Sequence, residues 1–292
     1  MVHGVDISSY QGSPDLAMMA GQASYVICRH SIGSLRDIQF DRNWAGLDGK
    51  TIRGLYYVPH PQASHETAKA QLRDAISRNP DLPIALDIEV AGVYVDRVYA
   101  LAMYLYQQTG KYPLIYTSPG FWGALWGKAN STHTAFFSKC PLWIAHYTSA
   151  QNPMEIEPWK SAGKAWTFWQ YGINSNKAVV EAHGLRYWES KAIDVNRYNG
   201  ELLDLYAWCG VGEIDPPTEP PIIVPTDEYV RVVNCEWLSF RTRPEVYPGD
   251  RPAIGRKMSD PAKVIERKDG WLYVELSGGD RGWISEEYTE LV

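Results

Sequence analysis

Residues 83–89, Pro-Ile-Ala-Leu-Asp-Ile-Glu, read as a short apolar strand that ends in two carboxylates. Side chains alternate between the two faces of a strand, so Asp87 and Glu89 share one face and the aliphatic residues share the other. In a β/α barrel the aliphatic face packs under helices, while the opposite face lines the interior and reaches the active-site mouth. The segment therefore predicts a barrel strand that carries catalytic acids. A solvated sheet edge or a helix cap is the alternative for such an Asp-x-Glu pair.

Further segments of strand character precede and follow this one. Candidate strands cover residues 2–7, 25–30, 54–58, 83–89, 113–118, 141–147, 165–171 and 192–196. Helical periodicity lies between them at 64–78 and at 92–109, where Tyr94, Val98 and Leu105 share an apolar face before Gly110 ends the helix. Eight strands with intervening helices or long loops over about 210 residues indicate an α/β fold, a parallel (β/α)8-type barrel. A doubly wound open sheet is the alternative.

The composition changes abruptly near residue 211. Residues 211–225 contain five prolines and no helix or strand pattern, which predicts an extended linker that holds two domains apart. Beyond it, short β-rich runs at 229–233, 262–267, 271–275 and 282–284 are separated by turns at 268–270 and 277–280, a pattern typical of a small all-β barrel. We therefore predict a barrel domain at 1–210, a proline-rich linker at 211–227 and a small β domain at 228–292.

Charge and composition narrow the class of partner. The formal net charge is −6, and no run of Lys and Arg favours nucleic acid or an anionic membrane as the main partner. The four cysteines are dispersed and the seven histidines form no H-E-x-x-H motif, so we expect no metal site and no cofactor. No segment is long and apolar enough to span a bilayer, and no signal-peptide pattern precedes the first strand. We expect synthesis in the cytoplasm, with release by another agent if the target lies outside.

Two further acids complete a candidate cluster. Asp6 lies on the inner face of the first strand, and Asp194 lies in the eighth. First and last strands are neighbours in a closed barrel, so these two acids should meet, with Asp87 and Glu89 across the mouth. Such a cluster suits glycoside hydrolysis, because one acid must stay protonated to donate to the leaving oxygen and nearby carboxylates raise its pKa. A divalent-cation site made of oxygen ligands is the alternative.

Four sequence strings resemble those of the glycoside hydrolase family 25 lysozymes. They are residues 4–11 (Gly-Val-Asp-Ile-Ser-Ser-Tyr-Gln), 85–89 (Ala-Leu-Asp-Ile-Glu), 169–171 (Trp-Gln-Tyr) and 194–200 (Asp-Val-Asn-Arg-Tyr-Asn-Gly). The family comprises N-acetylmuramidases of bacteria and phages with an irregular β/α barrel. The resemblance, which spans residues 1–208, implies that Glu89 is the general acid and that Asp87 orients or stabilises the N-acetyl group of the substrate. It also implies that Asp6 and Asp194 shape the charge and hydrogen bonding of the floor.

The same resemblance implies a sugar-binding groove. The residues that fall where the family lines this groove are Tyr56, Tyr116, Trp143, Tyr147 and Gln170. Barrel packing is the alternative for each aromatic ring. One departure is that Tyr57 stands where the family often has histidine.

The C-terminal segment resembles the bacterial SH3-like modules of cell-wall hydrolases. The resemblance rests on residues 237–244 (Trp-Leu-Ser-Phe-Arg-Thr-Arg-Pro), 269–274 (Asp-Gly-Trp-Leu-Tyr-Val) and 282–284 (Gly-Trp-Ile). It implies a wall peptide or wall polymer as the ligand of this domain. A stabilising domain without a ligand is the alternative.

Taken with these resemblances, the sequence predicts a two-domain lysozyme of the phage endolysin type. Its substrate would be bacterial peptidoglycan, cut at the β-1,4 bond between N-acetylmuramic acid and N-acetylglucosamine. Three alternatives stay open: an N-acetylglucosaminidase on the same polymer, a non-catalytic wall-binding protein, and a wall peptidase or amidase with the same tail.

Overall fold

A computed structural model describes residues 2–210, 229–233, 238–240, 254–256, 261–268, 270–276 and 281–292. The chain divides into two compact units, Met1–Thr218 and Glu219–Val292. The predicted linker at 211–227 and the fourth cysteine, residue 235, lie outside the described residues. No helix in the described ranges is both long and apolar enough to cross a membrane.

The first unit is built on a closed sheet. Its strands are β1 (Val2–Ile7), β2 (Tyr25–Ile32), β3 (Leu35–Arg36), β4 (Ile52–Val58), β5 (Ala85–Ile88), β6 (Leu114–Thr117), β7 (Leu142–Ala145), β8 (Phe168–Asn174) and β9 (Ile193–Tyr198). The strand order is β1-β9-β8-β7-β6-β5-β4-β2, and β1 also pairs with β2, which closes a barrel of eight strands. The short β3 pairs with β2 outside this circuit. Each of the eight predicted strands is confirmed, and closure excludes the open doubly wound sheet.

Helices of different lengths connect the strands. They are α1 (Leu16–Gln22), α2 (Phe40–Gly46), α3 (His65–Ser77), α4 (Val95–Thr109), α5 (Pro119–Trp126), α6 (Ser131–Phe137), α7 (Lys177–Ala182) and α8 (Leu202–Cys209), with a 3-10 turn at Ser9–Gln11. The α3 helix begins where the Ser64 side chain accepts from the Thr67 amide, and α4 ends at Gly110, whose φ is 69°. Tyr94 does not share the buried face of α4 as predicted. It precedes the helix with extended backbone and is exposed, because it occupies the capping position.

Strand alternation separates two apolar clusters. Leu86 and Ile88 face outward and belong to the large cluster that includes Leu101 of α4. Ala85 and Tyr56 face inward and belong to the smaller cluster inside the barrel, which residues of α8 also join. The inward parity of Ala85 continues to Asp87, so the acid emerges from the barrel interior.

The direction of β9 differs from the prediction. β9 runs antiparallel to both β1 and β8, so a fully parallel barrel is wrong. The β8–β9 connection, residues 175–192, contains only the six-residue α7, about 9 Å long. It does not return to the far end of the barrel, so the chain enters β9 at the mouth. Asp194, the second residue of β9, therefore lies opposite Asp6 near the end of β1.

The second unit is an antiparallel β structure. Its strands are β10 (Tyr229–Val232), β11 (Leu238–Phe240), β12 (Ile254–Arg256), β13 (Ala262–Lys268), β14 (Trp271–Glu275), β15 (Arg281–Ser285) and β16 (Thr289–Leu291). Five form a sheet in the order β15-β14-β13-β10-β16, and β11 pairs with β12. The core consists of Val230, Ala262, Val264, Leu272, Val274 and Ile284. The four predicted strands are confirmed. Residues 237, 241–244, 269 and 277–280 of the predicted motifs and turns lie outside the described part.

Candidate active site

The mouth of the barrel holds a cleft of about 350 Å³. All the candidate site residues from the sequence line it: Asp6, Tyr56, Asp87, Glu89, Tyr116, Trp143, Tyr147, Gln170 and Asp194. They come from β1, β4, β5, β6, β7, β8 and β9 and from the loops that follow β5 and β7. The strand ends therefore bring together residues that are as much as 188 positions apart, since Asp6 and Asp194 are direct partners across β1 and β9.

Two side-chain amides hold the Asp6 carboxylate on the floor. Gln170 Nε2 donates to Asp6 Oδ1 at 2.9 Å, and Asn196 Nδ2 donates to the same oxygen at 2.7 Å. Trp143 Nε1 in turn donates to Asn196 Oδ1 at 2.8 Å, which orients that amide. The floor is therefore a fixed hydrogen-bonded network with a carboxylate at its centre.

Two tyrosines extend this network towards the cleft. The hydroxyl groups of Tyr116 and Tyr147 donate to Gln170 Oε1 at 3.0 and 2.8 Å. Tyr116 is buried and packs edge-on against Trp143, with ring centroids 4.5 Å apart, so both rings also serve barrel packing. Tyr147 is 54% exposed and keeps a ring face open to a ligand.

The buried acids have strongly perturbed pKa values. Burial raises the pKa of Asp6 to about 6, although its two amide donors oppose the shift. Burial, then repulsion from Glu89 and Asp6, raises the pKa of Asp87 well above its usual range. Asp87 Oδ1 is buried without a hydrogen-bond partner in the described part of the chain. This oxygen is free to bind a polar group of a ligand.

The pKa values of the other two acids, Asp194 and Glu89, are also raised. Burial, followed by repulsion from Asp6 and Glu89, raises the pKa of Asp194 to about 8. Glu89 lies exposed at the mouth, yet desolvation by the surrounding protein still raises the pKa of its carboxyl, and Arg29 opposes this. The raised pKa values favour the protonated forms of these carboxyls, which is the direction that a general acid requires.

Arg29 is a cleft residue that the sequence reasoning missed. It lies in β2 with the same inward parity as Ile27, and its Nε and Nη2 atoms contact Asp37 Oδ2 at 2.8 and 2.7 Å. Its Nη2 atom also donates to Ser9 Oγ at 2.9 Å, and its guanidinium lies 5.0 Å from the centre of the Tyr10 ring. Asn196 was also missed, although it stands two residues after Asp194. Strand parity alone could have revealed Arg29.

The described residues contain no group of three or more His, Cys, Asp or Glu side chains arranged to hold a metal ion. The Asp6 carboxylate is bound by neutral amides instead.

Two comparisons of the sequence with known proteins match the barrel region to glycoside hydrolases. The family model of glycosyl hydrolases family 25 matches residues 5–180. The N,O-diacetylmuramidase of Chalaropsis sp is 31% identical over 183 residues, which cover 51% of this chain and 80% of that protein.

Solved structures of similar fold cover about 70% of this chain. A bacterial lysozyme from Streptomyces coelicolor has a TM-score of 0.57 at 25% identity, covering 71% of this chain and 96% of its own. A muramidase from Acremonium alcalophilum has a TM-score of 0.55 at 26% identity, covering 72% of this chain and 99% of its own.

Proposed function

The chain belongs to glycosyl hydrolases family 25 and is a glycoside hydrolase of the lysozyme type, and we propose that it cleaves the β-1,4 bond between N-acetylmuramic acid and N-acetylglucosamine in peptidoglycan. The observation that carries the proposal is the convergence of four carboxylates in one cleft, where burial raises the pKa of each. The similar proteins named muramidases support the choice of bond.

Glu89 acts as the general acid in this proposal. It is the acid at the exposed mouth, where a glycosidic oxygen can approach, and desolvation raises its pKa, which favours the protonated form. The proton moves from the Glu89 carboxyl to the leaving oxygen as the bond from that oxygen to the anomeric carbon breaks. The ionised Glu89 then accepts a proton from the water that completes hydrolysis.

Asp87 acts on the N-acetyl group of the substrate. Its unpartnered buried oxygen can accept the amide N–H of that group, which holds the acetyl oxygen towards the anomeric carbon. The acetyl oxygen then forms a bond to that carbon as the leaving group departs, and water later breaks this bond. Asp6, with a pKa of about 6, supplies negative charge on the floor, which favours the positive charge that develops on the sugar ring, and Asp194 lies beside it on β9.

The experiment that tests this activity is product analysis on purified peptidoglycan. After digestion and borohydride reduction, we expect reduced N-acetylmuramic acid at the new ends. Reduced N-acetylglucosamine would identify a glucosaminidase. New amino groups without new reducing ends would identify a peptidase or amidase, and no new ends of either kind would indicate a wall-binding protein without catalysis.

The predicted order of domains along the chain supports a second proposal, which concerns the type of enzyme. A catalytic domain at 1–210, a proline-rich linker at 211–227 and an SH3-like domain at 228–292 that binds a wall peptide or polymer would form a phage endolysin. Such an enzyme would accumulate in the cytoplasm and reach the wall only after the membrane is breached. Production in a susceptible bacterium should leave cells intact until chloroform permeabilises the membrane. Lysis without permeabilisation would contradict this part.

A further inference from the structure

A second cavity lies at the opposite end of the barrel from the active site. It encloses about 650 Å³ and is lined by residues that precede β6, β7 and β8 and by residues that follow β9. The active-site cleft and this basal groove have no lining residue in common. A four-residue strand such as β6 rises about 13 Å, so a ligand in the basal groove does not reach the catalytic acids.

The basal groove is positively charged in an acidic protein. Lys111, Lys139 and Lys164 line it, and none of its lining residues in the described part of the chain is Asp or Glu, whereas the chain as a whole carries a net charge of −6. Burial raises the pKa of the Cys140 thiol on the groove wall, and the Lys164 ammonium opposes that shift. The Lys164 charge therefore acts at the groove wall, where the Asp204 charge also acts on Tyr198, and the attraction of the groove for an anion comes from its three lysines.

Aromatic rings supply the remaining contact surface. Trp166, Tyr112, Tyr198 and Trp208 line the groove. The rings of Tyr198 and Trp208 stack with centroids 6.3 Å apart and planes inclined by 17°, and Trp208 is 38% exposed. Partly exposed flat rings of this kind contact the C–H faces of sugars and polyols.

We propose that the basal groove binds a phosphodiester-linked wall polymer, in which sugar or polyol units alternate with phosphates. Lysines act as point charges for phosphate oxygens, and the rings contact the units between them. A neutral glycan would leave three ammonium groups without a partner. The inference rests on the proposed function, since a peptidoglycan hydrolase works among such polymers. Binding there anchors the barrel to the wall while the active site remains open.

The test replaces Lys111, Lys139 and Lys164 together with glutamine in the full chain. Affinity for purified poly(glycerol phosphate), measured by titration calorimetry, should weaken by about threefold to a hundredfold, the range for three partly screened ion pairs. The affinity of the unmodified protein should also fall as salt rises, and the variant should depend less on salt. A control that replaces Lys50, Lys128 and Lys177 changes the net charge equally at residues that line neither cavity, and should bind as the unmodified protein does.

Whole walls provide the second readout. Removal of phosphodiester polymers with cold hydrofluoric acid should reduce sedimentation of the unmodified protein and of the control more than that of the triple variant. Trp208→Ala should weaken polymer binding without a change of charge. Equal polymer affinity in the triple variant and the control would overturn the proposal. Hydrolysis of soluble glycan fragments should be unchanged in every variant; its absence from the unmodified protein would refute the proposed function instead.

Discussion

Replacing Gln170 with leucine should destabilise the barrel by an amount that depends on pH. The Gln170 side chain is 3% exposed and makes three hydrogen bonds, one to Asp6 and two from the hydroxyls of Tyr116 and Tyr147. Leucine has a similar volume and none of these polar groups. The substitution therefore removes hydrogen bonds with little change in packing.

The size of the destabilisation depends on which groups lose their hydrogen bond to Gln170 and find no other partner. The bond to the Asp6 carboxylate is charge-assisted, and its loss costs about 1.5–3 kcal/mol while Asp6 is ionised. The buried Tyr116 hydroxyl loses its acceptor, which costs about 1–3 kcal/mol at every pH. Tyr147 is exposed enough to turn to water. The free energy of unfolding should fall by roughly 2.5–6 kcal/mol where Asp6 is ionised and by roughly 1–3 kcal/mol where it is neutral.

The sign of the pH dependence is fixed by the raised pKa of Asp6, about 6 in the folded barrel. A carboxyl whose folded pKa exceeds its unfolded value adds stability at low pH, and this is lost as pH rises through the folded pKa. Loss of the Gln170 donor raises that pKa further, so the difference between the two proteins should widen between about pH 5 and about pH 8. Urea unfolding at both pH values measures it.

Tyr147→Phe is the matched control, because it removes one hydrogen bond to the same amide and leaves both donors to Asp6 in place. Its destabilisation should be the same at both pH values. If Gln170→Leu also destabilises equally at both pH values, Gln170 does not stabilise the Asp6 carboxylate.

Three further predictions concern the acid, a histidine pair and the second unit. Glu89→Gln should raise the thermal midpoint of the barrel in calorimetry, because Glu89 repels Asp6 and Asp194; a lower midpoint would contradict that repulsion. Burial, followed by the facing His183 ring, lowers the pKa of His3 to about 4, so the contribution of His3 to the unfolding free energy should decrease as pH falls from about 6.5 to about 4. His3→Gln should reduce this dependence in urea titrations, and an unchanged slope would exclude His3 as its source. A chain ending near residue 210 should hydrolyse soluble glycan fragments at close to the full rate yet sediment with walls less completely than the full chain, since a tethered second site adds about 10²–10⁴ in avidity only on a multivalent surface. Loss of soluble activity in a folded truncated barrel would contradict separate modules.

Strand positions and inward faces were predictable because alternation is a local property of the chain. The sequence around Asp87 has aliphatic residues on one face and small or acidic residues on the other, and the barrel uses both faces in that way. The direction of β9 was not predictable from this pattern, because alternation is identical in a strand read in either direction. The direction of β9 depends on the end of the barrel at which the connection at 175–192 delivers the chain into the strand. Asp194 meets Asp6 because β9 is antiparallel, and in a parallel β9 it would lie near the opposite end.

The electrostatics of the site depend on distances between strands that are remote in sequence. The hydrogen bonds that fix Asp6 come from Gln170 on β8 and Asn196 on β9, and no spacing rule specifies which amide reaches which oxygen. Strand parity predicts that Arg29 faces inward. It does not predict the ion pair with Asp37, because only the fold brings the two residues together. Residue types and faces were therefore accessible from the sequence, whereas partners and pKa shifts were not.

The central claim is that Glu89 protonates the leaving glycosidic oxygen, and two substrates test it in one variant. The sugar alkoxide that leaves from peptidoglycan needs that proton, whereas the phenolate that leaves from an aryl glycoside of the same disaccharide does not. In Glu89→Gln we expect kcat/KM to fall by about 10²–10⁴ on peptidoglycan and to stay within about tenfold on the aryl glycoside. An equal loss on both substrates, or no loss on peptidoglycan, would contradict the assignment.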